Sequence, residues 1–268
     1  MTVGSIATGT TRVEAAIQLA SQRTGVDFGY LLGQARVESG LRPDARASTS
    51  SASGLFQFVD QSWLGVVKQH GAVHGLGWAA GAIRQGANGR FSVDPTLRQA
   101  VMNLRNDATA ASLMAGAHAA DNKAALEGHL GREVGGTDLY MAHFLGLGGA
   151  KRFLTRMADA PGQSAAALFP AAAAANRNVF YTPAGQPRSL AQVYDRFAEK
   201  IGGAGAGAAS VPAATGNALP AIADVLPAEF TSTLQQLGAS AGMDAEALMR
   251  PRPDNARLAY MMLASMGA

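Results

Sequence analysis

Glu38 and Ser39 close an amphipathic stretch, and shortly after them comes the polar-glycine segment Ser53-Gly54-Leu55-Phe56-Gln57-Phe58. A carboxylic acid on the rim of a buried helical stripe can keep its proton near neutrality and hand it to a leaving oxygen, such as that of a glycosidic bond. Gln57 supplies a donor and acceptors that suit a sugar amide or hydroxyl, and Gly54 lets backbone approach a ligand or turn sharply. These residues are therefore the candidates for chemistry.

The elements that must position them follow from periodicity and capping. A helix is expected from Asp27, with Phe28, Leu31, Leu32 and Ala35 on one stripe, and it should stop near Gly40 with Pro43 beyond. At about 100° per residue, Glu38 falls roughly 70° from the centre of that stripe while Val37 points nearly opposite. Glu38 is a border residue. Partial burial and the negative end of the helix dipole both disfavour its ionised form. Spacing alone nevertheless fits a solvated helix-end glutamate better.

Leu41 to Gly54 is rich in Ser, Ala and Pro and reads as a surface loop, the kind of segment that carries sites on rigid scaffolds. Asp60 is expected to cap a helix bearing Trp63, Leu64 and Val67 and ending at Gly71; Trp63 reads as core, with sugar stacking as the alternative. Upstream, Thr11-Arg12-Val13-Glu14 has the form of a capping box that opens a helix through Val13, Ala16, Ile17 and Ala20. Downstream, Asp94-Pro95 is a cap with proline at the first helical position. Ala108 to Ala120 is an alanine-rich helix, Thr137 to Leu145 an apolar one ended by Gly146, and Ser189-Leu190-Ala191-Gln192 a second capping box.

Composition bounds the rest. With 268 residues and 48% apolar content the chain can bury a substantial core, and 6% aromatic residues with abundant Ala and Gly favour small-residue helix packing over a sheet. The expected fold class is all-α. There are no cysteines, which excludes disulfides and thiol chemistry. The 22 Lys plus Arg against 19 Asp plus Glu give a net +3, compatible with an anionic glycan and too dilute for a nucleic-acid stripe. No run of apolar residues is long enough for a membrane span. Met1 to Thr11 lacks the basic start and apolar stretch of a secretory signal.

Other chemistries find little support. His70 and His74 have the spacing of a helical metal pair, but Gly71 and Gly75 disfavour a helix there and no acid lies between them, so no metal is expected. Gly146-Leu147-Gly148-Gly149 and Gly202-Gly203-Ala204-Gly205 neither follow strands nor end in Gly-Lys-Ser/Thr, so they are not phosphate loops and no cofactor is called for.

At Glu38-Ser39, Gly54-Leu55-Phe56-Gln57 and Ala142-His143-Phe144-Leu145-Gly146 the chain resembles the family 1 lytic transglycosylases, whose soluble-lytic-transglycosylase domain has a lysozyme-like fold. The likeness covers about residues 12 to 200. In that family Glu-Ser ends the catalytic helix, Gly-Leu-Met-Gln follows, and Ala-Tyr-Asn before glycine comes later. Here Phe56 replaces the methionine, and His143 and Phe144 replace tyrosine and asparagine. The contact that the family tyrosine makes to the acid would fall to His143 or to Tyr140, one turn away.

The resemblance implies cleavage of the β-1,4 bond between N-acetylmuramic acid and N-acetylglucosamine in peptidoglycan, without water. Glu38 would protonate the leaving oxygen and then act as base on the muramic 6-hydroxyl, closing a 1,6-anhydro ring. The next acids along the chain are Asp44 and Asp60; two-carboxylate glycosidases need a partner at defined separation, and Asp44 could supply one in space. Ser39, Ser53, Gly54, Phe56, Gln57, Tyr140, His143 and Phe144 would position the acid or line the sugar. The alternatives are a lysozyme-type hydrolase and a glycan-binding assembly scaffold of weak or no activity.

The domain expectation is a catalytic unit at 1–201, a flexible Gly/Ala/Pro linker at 202–218, and a small helical docking segment at 219–268. Its partner is expected to be a flagellar or secretion-apparatus protein, with action on the wall in the periplasm and the export route left open.

Overall fold

A computed structural model describes residues 3–48 and 50–205. The expected linker does not begin at 202, since the last described helix continues through Gly205; the rest of the linker, the docking segment and with them the partner expectation lie outside the described residues.

The described chain is mainly helical. Helix α1 (Val3–Thr24) leads to α2 (Phe28–Ser39), and after a long loop come α3 (Asp60–His70), a 3-10 turn (Gly71–His74) and α4 (Gly77–Ala82). Strands β1 (Ile83–Gln85) and β2 (Phe91–Val93) follow, then α5 (Pro95–Asn103), a 3-10 turn (Leu104–Asn106), α6 (Ala108–Leu130) and α7 (Gly136–Asp159). The short helices α8 (Ala165–Leu168), α9 (Pro170–Ala175) and α10 (Arg177–Phe180) precede α11 (Leu190–Gly205).

Several boundaries obey local capping chemistry. Asp27 accepts from the Tyr30 N–H at 2.7 Å to open α2, and Gly40 at φ 61° closes it in the left-handed region. Asp94 caps α5 ahead of Pro95. Ser189 and Gln192 exchange reciprocal bonds at 3.0 and 3.2 Å, the capping box that starts α11.

Two expected helix starts are corrected. The first helix begins at Val3 rather than after Thr11, because no proline interrupts the segment and the lone Gly9 costs a helix interior only about 1 kcal/mol. Asp60 does not cap α3: Val59 occupies the cap position with no side-chain bond, and Asp60 takes Arg98 and Arg105 at 2.9 and 3.0 Å. Gly146 does end the helical geometry of the first half of α7, as expected: at φ 71° and ψ 160° it breaks the helix, and a second helical stretch resumes at once through Asp159. The segment β1–β2 is also an addition to an all-helical expectation. It is an antiparallel hairpin pairing Ile83 with Val93, three residues per strand and too short to show a period. Gln61 of α3 clamps it, donating to the Phe91 carbonyl at 3.0 Å and accepting its N–H at 2.9 Å.

Packing centres on α6, which buries residues around most of its circumference from Ala110 to Ala119, as a central helix must. It runs along α1 and α7, and α11 lies against both α2 and α7. Close approach sets the α1–α6 contact: a Cβ at Gly116 would meet the Thr24 hydroxyl at 2.8 Å. Leu31 and Leu32 on α2, Trp63 and Leu64 on α3, and Phe153 on α7 are fully buried in one core. Each such side chain contributes roughly 1.5–3 kcal/mol. The Trp63 indole N–H donates to the Val101 carbonyl at 2.8 Å, so this residue is core rather than a sugar platform.

Candidate active site

Two elements bring the chemistry together. On α2, Tyr30, Gln34 and Glu38 are spaced four apart and form one row along the helix; on α7, Tyr140 and His143 are three apart and share a face. Where the rows meet, the His143 Nε2 lies 3.0 Å from Glu38 Oε1. His143 Nδ1 lies 3.3 Å from the Gln34 side-chain nitrogen. An amide NH2 can only donate, so in this arrangement Nδ1 accepts and the neutral imidazole carries its proton on Nε2, donating to Glu38.

Glu38 is the unusual group. Its side chain is 3% exposed, and Oε2 is buried with no hydrogen-bond partner. A buried acceptor left unpaired costs about 1–3 kcal/mol, and more when charged, so evolved cores rarely leave one without a use. Tyr30 and Tyr140 are buried beside it. Burial raises both phenols above their ordinary range, and the negative charge of Glu38 raises them further. Lys200, from α11, also feels Glu38: burial lowers its ammonium from the ordinary value, Glu38 pulls it back up, and Arg196 opposes that. His143, rather than Tyr140, makes the bond to the acid; the Tyr140 ring lies 5.7 Å from the His143 ring and 5.3 Å from that of Phe197.

The loop behind the acid is built to be rigid. Ser39 shares its one hydroxyl proton between the carbonyls of Ala35 (3.0 Å) and Leu55 (2.8 Å) and accepts the Arg42 N–H at 3.2 Å, tying the end of α2 to the loop. Gln57 adopts a positive φ of 48° and its side-chain amide donates to the carbonyls of Ala45 and Gly54 at 3.0 and 2.9 Å. Ser53 donates to Asn106 Oδ1 at 2.8 Å, and Leu55 and Phe56 are buried. Gly54 could be nothing else: its φ is +83°, and a Cβ there would sit 1.8 Å from the Arg105 carbonyl oxygen. Arg105 in turn donates to the carbonyls of Ser51 and Phe58 and to Asp60.

The expected site residues thus divide into two groups. Glu38, His143 and Tyr140 come together as chemistry. Ser39, Ser53, Gly54, Phe56 and Gln57 come together as a frame, with the hydroxyls of Ser39 and Ser53 and the amide N–H groups of Gln57 used inside the protein. Phe144, expected beside a sugar, is instead fully buried, its ring 4.8 Å from Phe197 and 6.2 Å from Phe180; one residue past His143 on a helix points about 100° away, into the core. Sequence spacing did not single out Tyr30, Gln34 or Lys200. The polar row at four-residue spacing through Tyr30, Gln34 and Glu38 was the available signal for the first two, whereas Lys200 depends on how α11 docks.

Elsewhere, His70 pairs with Asp121 at 2.7 Å. Among the described residues no three side chains converge as a metal-ligand cluster, and no helix is long and apolar enough to cross a membrane. No protein-family model matches the chain.

Proposed function

We propose that the protein is a peptidoglycan lytic transglycosylase with a lysozyme-like catalytic domain, acting on the wall in the periplasm. The observation that carries this reading is Glu38: a single carboxylic acid at a helix end, one oxygen bonded to His143 and the other buried without a partner. A group so placed is poised for proton transfer to a bound oxygen.

Glu38 would give its proton to the glycosidic oxygen as the bond to the muramic C1 breaks, with the electron pair leaving on that oxygen. The substrate's acetamido group would stabilise the cationic centre. The 6-hydroxyl of the same sugar would then attack C1 and return its proton to Glu38, closing the 1,6-anhydro ring. One acid suffices for both steps. Asp60 is an unpromising second carboxylate because Arg98 and Arg105 hold it, and Asp44 is exposed on the loop. This favours the intramolecular route over a two-carboxylate hydrolysis.

Digestion of purified cell wall followed by mass spectrometry tests the reading. Products ending in 1,6-anhydro-muramic acid are expected; reducing-end muramic acid would make the protein a hydrolase. The enclosure of Glu38 favours one alternative, a glycan-binding scaffold without turnover, for which the protein would bind wall fragments and release nothing.

A further inference from the structure

The hydrogen-bond chain Gln34–His143–Glu38 sets which oxygen of the acid can move a proton. We infer that Gln34 is a positioning residue that locks His143 in its Nε2–H tautomer, so that Glu38 Oε1 is permanently engaged and proton transfer runs through Oε2 alone. This assignment deepens the proposed reaction and its catalytic part rests on that reading; the tautomer itself does not.

The geometry supports each link. Gln34 is buried at 6% exposure and lies one turn before Glu38 on the same face of α2, so its amide and the carboxylate address one imidazole from adjacent turns. Its nitrogen is 3.3 Å from Nδ1, and the opposite ring nitrogen is 3.0 Å from Oε1. The ring is held from the side by Tyr140, centroid to centroid 5.7 Å. With the Gln34 amide in this orientation, an Nδ1–H tautomer would point a proton at the amide N–H groups and present a bare Nε2 lone pair to an ionised Glu38, two repulsive contacts beside a carboxyl only 3% exposed. The observed tautomer removes both. With Oε1 accepting from His143, Oε2 is the oxygen left to carry the exchangeable proton: it leaves with the departing glycosidic oxygen and returns from the attacking hydroxyl. The imidazole keeps its own proton throughout, so His143 orients the acid and takes no part in the balance.

The test reads the tautomer directly. In the full chain labelled with 15N-histidine, two-bond 1H–15N correlation spectra of wild type, with His143 assigned by its loss in His143→Gln, should show a protonated Nε2 and an unprotonated Nδ1. Gln34→Glu keeps the shape of the side chain and offers Nδ1 an acceptor, so it should shift His143 to an Nδ1-protonated state and lower kcat for wall digestion about 10-fold or more with KM little changed. Gln34→Leu should leave the tautomers mixed, and its pH–rate profile should differ from that of wild type. A wild-type spectrum with Nδ1 protonated would overturn the assignment, as would Gln34→Glu and Gln34→Leu both retaining the wild-type ring state and pH profile. If wild type releases no wall fragments at all, the enzymatic reading fails while the spectrum still decides the tautomer.

Discussion

Gly54 shows how little freedom the residues behind the acid have. Its positive φ and the Arg105 carbonyl only 1.8 Å from where a Cβ would stand leave no room for alanine. Gly54→Ala should lose at least about 2 kcal/mol, read as a lower urea midpoint at unchanged m-value. Ser39→Ala removes the link between α2 and the Leu55 carbonyl and should be milder, about 1–2 kcal/mol, with activity falling because the end of α2 is freed. At this scale the sequence was legible in an uneven way. Glu38, Ser39, Gly54 and Gln57 could be named from residue types and order, but not the direction of their side chains. Hydroxyls and amides look the same in a sequence whether they face a ligand or a backbone carbonyl. The identity of the contact to Glu38 was likewise open between His143 and Tyr140, because two residues three apart on a helix both reach the same face, and only the placement of α7 against α2 separates them.

The elements that frame the site are joined by one buried acid. Asp138, in the first turn of α7 and 1% exposed, accepts from both Arg132 Nη groups at 2.8 and 3.0 Å, from the Gly135 N–H, and from the Tyr194 hydroxyl of α11 at 3.1 Å. The same contact, with burial as the larger cause, raises the Tyr194 phenol to about 12. It ties together α7, which carries His143, and α11, which carries Lys200. Asp138→Ala should therefore destabilise the protein by about 2–4 kcal/mol, below the full value for a buried pair because Arg132 is half exposed and can be rehydrated. Thermal unfolding with wild-type and variant at one pH measures it; an unchanged Tm would remove Asp138 as the anchor. Caps were the most legible feature of the elements: Asp27, Asp94 and the Ser189–Gln192 pair act through bonds only two or three residues long. Interruptions were legible in part. Gly146 breaks the helix as its residue type suggests, but a second helical stretch follows at once, because Ala150, Phe153 and Leu154 have their own apolar face to bury.

Across the whole molecule, the helical class followed from composition, since abundant small residues and few β-branched clusters suit close helix packing such as that of α1 on α6 at Gly116. The small hairpin did not follow, because its stability comes from Gln61 and from burial of Ile83 and Phe91 against α3 rather than from its own sequence. The bundle also creates a pH dependence that no local motif announces. His118, on α6, is lowered from 6.5 to about 4, mainly by burial, then by His143 and His70, with Asp121 opposing. The folded state thus resists a proton that the unfolded chain takes up below 6.5. Stability should be independent of this group above that pH and should fall on the order of 2–3 kcal/mol as pH drops from 6.5 towards 4. Urea titrations across that range should show the loss, and His118→Gln should flatten it; parallel curves for the two proteins would remove His118 as the cause.

If Glu38 moves the proton that breaks the glycan, Glu38→Gln should remove cleavage, because the amide keeps the shape and can still meet His143 while no longer carrying a transferable acid proton. Wild type and Glu38→Gln, matched for folding by circular dichroism, would digest the same purified peptidoglycan, with soluble 1,6-anhydro fragments quantified by mass spectrometry. Release by wild type and a loss of at least about 100-fold in the variant is the expected result. Equal release by the two proteins would contradict it.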